Sequence, residues 1–154
     1  MKLTIEKFTK TRILDVVDFE NRLRQEEDFY GWKIDDDYIK ALENSFDDRA
    51  FDHSFSLLAY DDGSVIGRID SAIIASRFDG SKKTAYLDWI CVIKSCRHQG
   101  VAQQLLKSLQ ALLIEEHVDT LIALSAANEE AQRFYKSIPH SEMHDTGVWI
   151  YLNA

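Results

Sequence analysis

Apolar and polar residues alternate from Leu3 to Phe8, the period of a half-buried strand. From Thr11 to Arg24 the period lengthens: Ile13, Leu14, Val17 and Leu23 fall mostly on one helical face, and Thr9 or Thr11 stands where a cap is needed. Phe29, Tyr30, Gly31 and Trp32 break that pattern. Ile39, Leu42 and Phe46 then predict a shorter helix capped by one of Asp35, Asp36 or Asp37. Phe55–Tyr60 and Val65–Ala75 read as two strands of a hairpin, joined by the turn Asp61-Asp62-Gly63-Ser64. A loop at 78–83 leads to a nearly unbroken apolar run, Ala85–Ile93. A helical stripe follows the basic turn after that run, then a short strand at Thr120–Ser125 and a helix capped by Asn128 through about Ser137. Two short strands, near Ser141–His144 and Val148–Leu152, close the series around Gly147. The order β-α-α-β-β-β-α-β-α-β-β predicts one mixed α/β domain over residues 1–154, a central mixed sheet flanked by helices.

The stretch from Ala85 to His117 organises the rest. Strict alternation puts Asp88, Ile90 and Val92 on one face of its strand and Leu87, Trp89 and Cys91 on the other. Apolar residues on both faces imply a strand covered on both sides, with Asp88 the one charge in it. A half-buried carboxylate needs a partner or a purpose, and desolvation moves it toward the range useful for general base work. In the helix that follows, Val101, Ala102, Leu105, Leu106, Leu109, Leu112 and Leu113 form a wide core-facing stripe. Its start carries Arg97 and His98, and no Asp or Glu occurs between Asp88 and Glu115. Cations at the positive end of a helix are unfavourable unless an anion joins them, and Gly100 lets the backbone approach such a guest closely. The junction is therefore a candidate anion site, although neither G-x-x-x-x-G-K-[ST] nor G-x-G-x-x-G is present.

Composition narrows the classes. A formal charge of −8 disfavours nucleic-acid binding, which needs a basic surface, and favours cationic partners. The acids crowd one early segment, from Glu26, Glu27 and Asp28 through Asp35–Asp37 and Glu43 to Asp47, Asp48 and Asp52. That segment is either a solvated face or a lip that attracts a cationic substrate. Phe29, Tyr30 and Trp32 either line a cleft beside it or plug the loop. Cys91 and Cys96 lie five residues apart in one strand-to-turn segment, poorly placed to bridge each other, and read as reduced thiols of a cytoplasmic protein. No apolar run approaches the roughly 18 residues that span a bilayer, no signal-peptide core stands at the N-terminus, and no His, Cys, Asp and Glu spacing suggests a metal.

The run from Val92 to Ala102, VIKSCRHQGVA, resembles the R/Q-x-x-G-x-G/A signature of the GNAT superfamily, the acyl-CoA-dependent N-acyltransferases. The later run from Leu124, LSAANEEAQRFYK, is similar to that family's second signature, with Asn128, Ala131, Phe134 and Tyr135 at the matching places. The element order agrees along nearly the whole chain. This resemblance implies acetyl-CoA as co-substrate. It implies that backbone amides from Gln99 through Gly100, Val101 and Ala102 to Gln103 hold the pyrophosphate, with Arg97 and His98 beside them. Main-chain groups of Ile90, Cys91 and Val92 would pair with pantetheine, Asn128 would contact pantetheine or the thioester, and Tyr135 would protonate the departing thiolate. Asp88 lies where many relatives carry an acid and is the candidate base.

The chain departs from the family pattern in places. Lys94 replaces a common proline and His98 a common glycine, while Ile138-Pro139-His140 replaces the usual Gly-Phe. His140 and His144 read as surface residues. The expectation is an N-acetyltransferase acting on a small cationic amine, polyamine or aminoglycoside-like, by direct attack in a ternary complex, with Asp28, Tyr30 and Trp32 near the acceptor. The alternatives are a protein or peptide amine as acceptor, or a catalytically silent acyl-CoA-binding domain. Neither nucleic acid nor membrane is expected as a partner, and a homodimer is compatible with the C-terminal strands.

Overall fold

A computed structural model of the chain describes residues 1–27 and 32–152. By its contacts the chain divides into two compact units, Met1–Ile122 and Ala123–Ala154. The first carries β1 (Thr4–Lys7), α1 (Ile13–Glu26), α2 (Asp36–Ser45), β2 (Ser54–Asp61), β3 (Ser64–Ile74), β4 (Thr84–Val92) and α3 (Val101–Glu115). A short strand, β5 (Thr120–Ala123), ends it, and α4 (Glu129–Lys136) belongs to the second unit. The sheet order is β1-β2-β3-β4-β5, with the β1–β2, β2–β3 and β3–β4 pairs antiparallel.

Each early element follows from its residues. The predicted Thr caps do not form on α1, because Lys10–Arg12 first make a 3-10 turn with Thr9 at its start and no side-chain cap bond. On α2, Asp35 is the cap, its carboxylate accepting from Tyr38 N at 3.0 Å. The β2–β3 turn has positive φ at both central residues, Asp62 (48°) and Gly63 (77°), the geometry of a tight hairpin whose twist matches the strands.

Adjacent residues of β3 face opposite layers. Leu58, Val65 and Cys91 join Val16, Phe19 and Leu23 of α1 in one buried cluster. On the other face α3 buries Val101, Leu105, Leu106, Leu109 and Leu113, the predicted stripe without its edges. Gly67 lets α3 come close: a Cβ there would stand 3.0 Å from Val101 Cγ1, 3.1 Å from Leu105 Cδ1 and 3.3 Å from the Cys91 carbonyl.

The two tail strands are not formed. Among the described residues no strand follows β5, and Val148, Trp149, Ile150, Tyr151 and Leu152 are exposed. Alternation marks residues suited to a pleated surface, but a strand exists only where a neighbour completes its ladder.

Substituting Gly67→Ala places a methyl against two branched side chains and a backbone carbonyl, so it should destabilise the protein by about 1–3 kcal/mol. Urea unfolding should show a lower midpoint with an unchanged slope.

Candidate active site

The turn between β4 and α3 is built to leave amides unused. Lys94–Cys96 make one 3-10 turn, and His98 (φ 60°) and Gly100 (φ 82°) adopt left-handed backbone. The first turn of α3 has no side-chain cap and no acid, and its ladder begins with Gln104 N donating to the Gly100 carbonyl at 3.0 Å. The amides of Val101, Ala102 and Gln103 thus precede the intrahelical ladder, where the helix dipole favours an anion. Nothing lies within 4 Å of a Cβ built on Gly100, so the approach is open.

That turn is clasped from α1. Glu26 accepts from Ser95 N at 3.1 Å and Ser95 Oγ at 2.9 Å. Glu27 receives both Nη atoms of Arg97, at 2.8 and 2.7 Å, while Arg97 Nε donates to the Val92 carbonyl at 3.0 Å. The Arg97 side chain, grouped by sequence with the cofactor-binding residues, therefore braces the turn. The acids missing from the turn itself come from the end of α1, an arrangement that local sequence does not reveal. His98 and Gln99 are exposed, while Ile90 is half-buried and Cys91 and Val92 are buried in β4.

A second feature of the first unit is a cavity of about 1120 Å³ on the α1 and α2 side of the sheet. It is shaped by an irregularity in β4. Asp70 pairs with Trp89 and the next pair is Ser71 with Leu87, so Asp88 is an extra residue opposite no partner. The bulge breaks the alternation, and Asp88 lines the same cavity as its neighbour Trp89, not the opposite face with Ile90. Asp88 is also exposed, whereas continuous alternation predicts a half-buried carboxylate.

Trp32 lines the cavity too, edge-on to Trp89 with ring centres 5.8 Å apart. The other two acceptor candidates, Asp28 and Tyr30, lie outside the described residues. Among the described residues, five carboxylates, Glu20, Asp48, Asp52, Asp70 and Asp88, line this space with the guanidinium of Arg68. Sequence reasoning passed over Glu20, Arg68 and Asp70. Signals existed, since Arg68 and Asp70 are two apart in an apolar strand and Glu20 interrupts the apolar stripe of Val16, Phe19 and Leu23.

These three groups form a buried ion cluster. Arg68 Nε stands 2.6 Å from Asp70 Oδ2, and Asp70 Oδ1 accepts from Arg68 Nη2 at 3.0 Å and Ser56 Oγ at 2.5 Å. Glu20, 1% exposed, accepts from Arg24 Nη1 at 3.1 Å through Oε2, and its Oε1 lies 3.7 Å from Arg68 Nη1. The Arg68 guanidinium also covers the Phe8 ring at 5.0 Å and the Trp89 ring at 5.8 Å. Burial pushes the Glu20 carboxyl above the ordinary glutamate range, Arg24 and Arg68 draw it back, and Asp70 adds to the rise. Burial likewise raises the Tyr38 phenol, on the α2 side of the same cluster.

In the second unit Asn128 Oδ1 caps α4 by accepting from Ala131 N at 2.8 Å, as expected. Tyr135 is half-buried, edge-on to Phe134 at 5.3 Å. His140 and His144 are exposed, and among the described residues no group of His, Cys, Asp and Glu could hold a metal ion.

A carboxyl raised by folding favours the native state while protonated, so its contribution is fullest below the unfolded value of about 4.3 and is lost as pH rises through the folded value. The stability of the native chain relative to Glu20→Gln should therefore decline as pH increases from about 4. Urea midpoints across a pH series read this directly, and a pH-independent difference would contradict the assignment.

Residues 17–138 match the model of the GNAT acetyltransferase family. Over 107 residues the chain is 30% identical to N-alpha-acetyltransferase 60 of Xenopus tropicalis, a match covering 58% of this chain and 44% of that protein. The chain thus spans less than half the length of this curated relative. Among solved structures, an aminoglycoside acetyltransferase from an uncultured soil metagenomic sample, in complex with sisomicin, superposes with a TM-score of 0.81 at 15% identity, covering 97% of this chain and 96% of that one. The aminoglycoside acetyltransferase AAC(6')-Iy, bound to a bisubstrate analog of CoA and acetylneamine, gives 0.75 at 21% identity, with 98% and 99% covered. The structures share the fold, the family match takes in the β4–α3 turn, the cavity strands and α4 together, and the chain belongs to the GNAT acetyltransferase family.

Proposed function

We propose that the protein transfers an acetyl group from acetyl-CoA to a small cationic amine. The observation that carries this reading is the cavity at the β4 bulge, where, among the described residues, five carboxylates stand with one guanidinium and Asp88 is freed from strand pairing. Such a field attracts ammonium groups and holds them among aromatic walls.

The uncapped, acid-free start of α3 fits a pyrophosphate, and the amides of Val101, Ala102 and Gln103 would hold it. The left-handed Gly100 lets them approach it, and the exposed His98 and Gln99 stand beside them. Arg97 acts by keeping the turn in shape through Glu27. Backbone groups of Ile90, Cys91 and Val92 would align pantetheine, and the Asn128 side chain would contact it near the thioester. Bound acetyl-CoA supplies the activated acyl group, so the protein has only to position the reactants and manage two protons. Asp88 takes the proton from the ammonium, directly or through a water. Tyr135 gives one to the leaving sulfur. Cys91 and Cys96 form no disulfide, which supports a cytoplasmic setting.

A second reading, a peptide or protein amine as acceptor, is favoured by the stretch shared with the N-alpha-acetyltransferase. A panel of small amines and peptides, followed by CoA thiol release, separates the two. Turnover of small di- and polyamines or amino sugars is expected, and turnover confined to peptides would overturn the small-amine reading.

Tyr135→Phe should lower kcat by about 10²-fold or more while acetyl-CoA still binds, and unchanged turnover would remove Tyr135 from the acid role. Asp88→Asn should lower kcat/KM by a similar factor and alter the shape of its pH profile, whereas an identical profile would count against the base. Acetyl-CoA at 100 times its dissociation constant should stabilise the fold by about 2.7 kcal/mol, and no thermal shift would contradict donor binding.

A further inference from the structure

The β4–α3 turn contains one residue in a conformation it does not adopt freely. His98 has φ 60°, left-handed backbone on a residue with a side chain, two positions before Gly100 at 82°. Glycine enters this region without penalty, but a Cβ crowds the neighbouring carbonyl oxygen, and such a residue persists where its surroundings over-determine it. His98 and Gly100 set the path by which the chain enters α3, and with it the direction of the amides of Val101, Ala102 and Gln103.

That path is held from the end of α1. Glu27 is the first residue beyond α1, and its amide donates to the carbonyl of the buried Leu23 at 2.9 Å, which anchors it to the core. Its two carboxylate oxygens receive the two Nη atoms of Arg97, the residue before His98, at 2.8 and 2.7 Å. Arg97 Nε donates to the Val92 carbonyl at 3.0 Å, so one guanidinium joins α1, the end of β4 and the turn. Glu26 adds two bonds to Ser95. The Arg97 and Glu27 side chains are only 23% and 13% exposed, so salt screens their pair little. By charge alone these two carboxylates oppose an anionic guest at the turn. Their contribution to binding such a guest is therefore one of shape.

We infer that Glu27 is a positioning residue for acetyl-CoA: acting through Arg97, it holds His98 in left-handed backbone and keeps the amides at the start of α3 aimed at the pyrophosphate. Arg97 is thereby committed to the turn and not to the anion. This deepens the acetyltransferase reading and rests on it for the identity of the ligand.

Positioning and simple electrostatics predict opposite signs. Glu27→Gln removes a negative charge near an anionic ligand, which by charge alone would tighten binding, and it turns one acceptor oxygen into an NH2 facing an Arg97 N–H. Calorimetric titration of the full chain with acetyl-CoA should instead show a Kd raised about tenfold, the worth of a lost hydrogen bond to a charged group. Adding His98→Gly to Glu27→Gln should recover most of that loss, because glycine stays left-handed without the clasp. An unchanged or lowered Kd in Glu27→Gln, or a loss that His98→Gly leaves in place, overturns the proposal. Should Glu27→Gln fail to fold, the Arg97 Nε–H resonance of the 15N-labelled native protein provides the second measurement. It should keep its position as acetyl-CoA saturates the chain, and a large shift, marking transfer of Arg97 from Glu27 to the anion, overturns the assignment. Amide spectra without ligand keep the inference apart from the functional reading. The resonances of Gly100, Val101, Ala102 and Gln103 should differ between the native chain and Glu27→Gln, and unmoved resonances overturn the positioning role. If they move but the native chain does not bind acetyl-CoA, the functional reading fails and the hold on the turn stands.

Discussion

A guanidinium on the sheet and a carboxylate on the apolar side of a helix fix the cavity side of the first unit. Glu20 is buried and the Arg68 side chain is 12% exposed, and removing one partner of a buried ion pair typically costs about 3–5 kcal/mol because the other charge is stranded. Asp70, Arg24 and Ser56 complete the set. The cluster ties α1 to β3 where Trp89 and the bulged Asp88 enter the same cavity, so the placement of the aromatic wall and the acidic rim follows from it.

The β4–α3 turn makes a different use of charge. The β4–α3 turn keeps its amides free by having neither cap nor acid of its own, and a basic turn in that condition would be strained against the helix dipole. Glu26 and Glu27 offset this from outside, binding Ser95 and Arg97 and leaving the helix start vacant of side chains. Both carboxylates come from the last turns of α1 and the residue after it, and Glu20 comes from the same helix. One helix thus braces the turn that would hold the donor and supplies the floor of the cavity that would take the acceptor.

Much of this was legible in the residues. Periodicity located β1 to β5 and all four helices to within a few positions, because each buries a continuous stripe or alternating face. The uncapped helix start at Gly100 was visible in the absence of acids and the basic turn. The bulge was not, since period-two reasoning assumes an unbroken ladder, and a single inserted residue reversed which side Asp88 occupies. The ion cluster was also hidden: Glu20, Arg68 and Asp70 are separated by up to 50 positions and become a unit only when α1 lies on β3. The tail strands failed for the complementary reason, as Val148–Leu152 has the right residues without a neighbouring strand to complete it.

The free amides at the start of α3 are expected to receive an anionic donor. Amide resonances of 15N-labelled protein, followed as acetyl-CoA is added, test this most directly. The largest shifts should fall on Gly100, Val101, Ala102 and Gln103, with smaller ones in β4. Saturable binding that leaves those four resonances in place would contradict it.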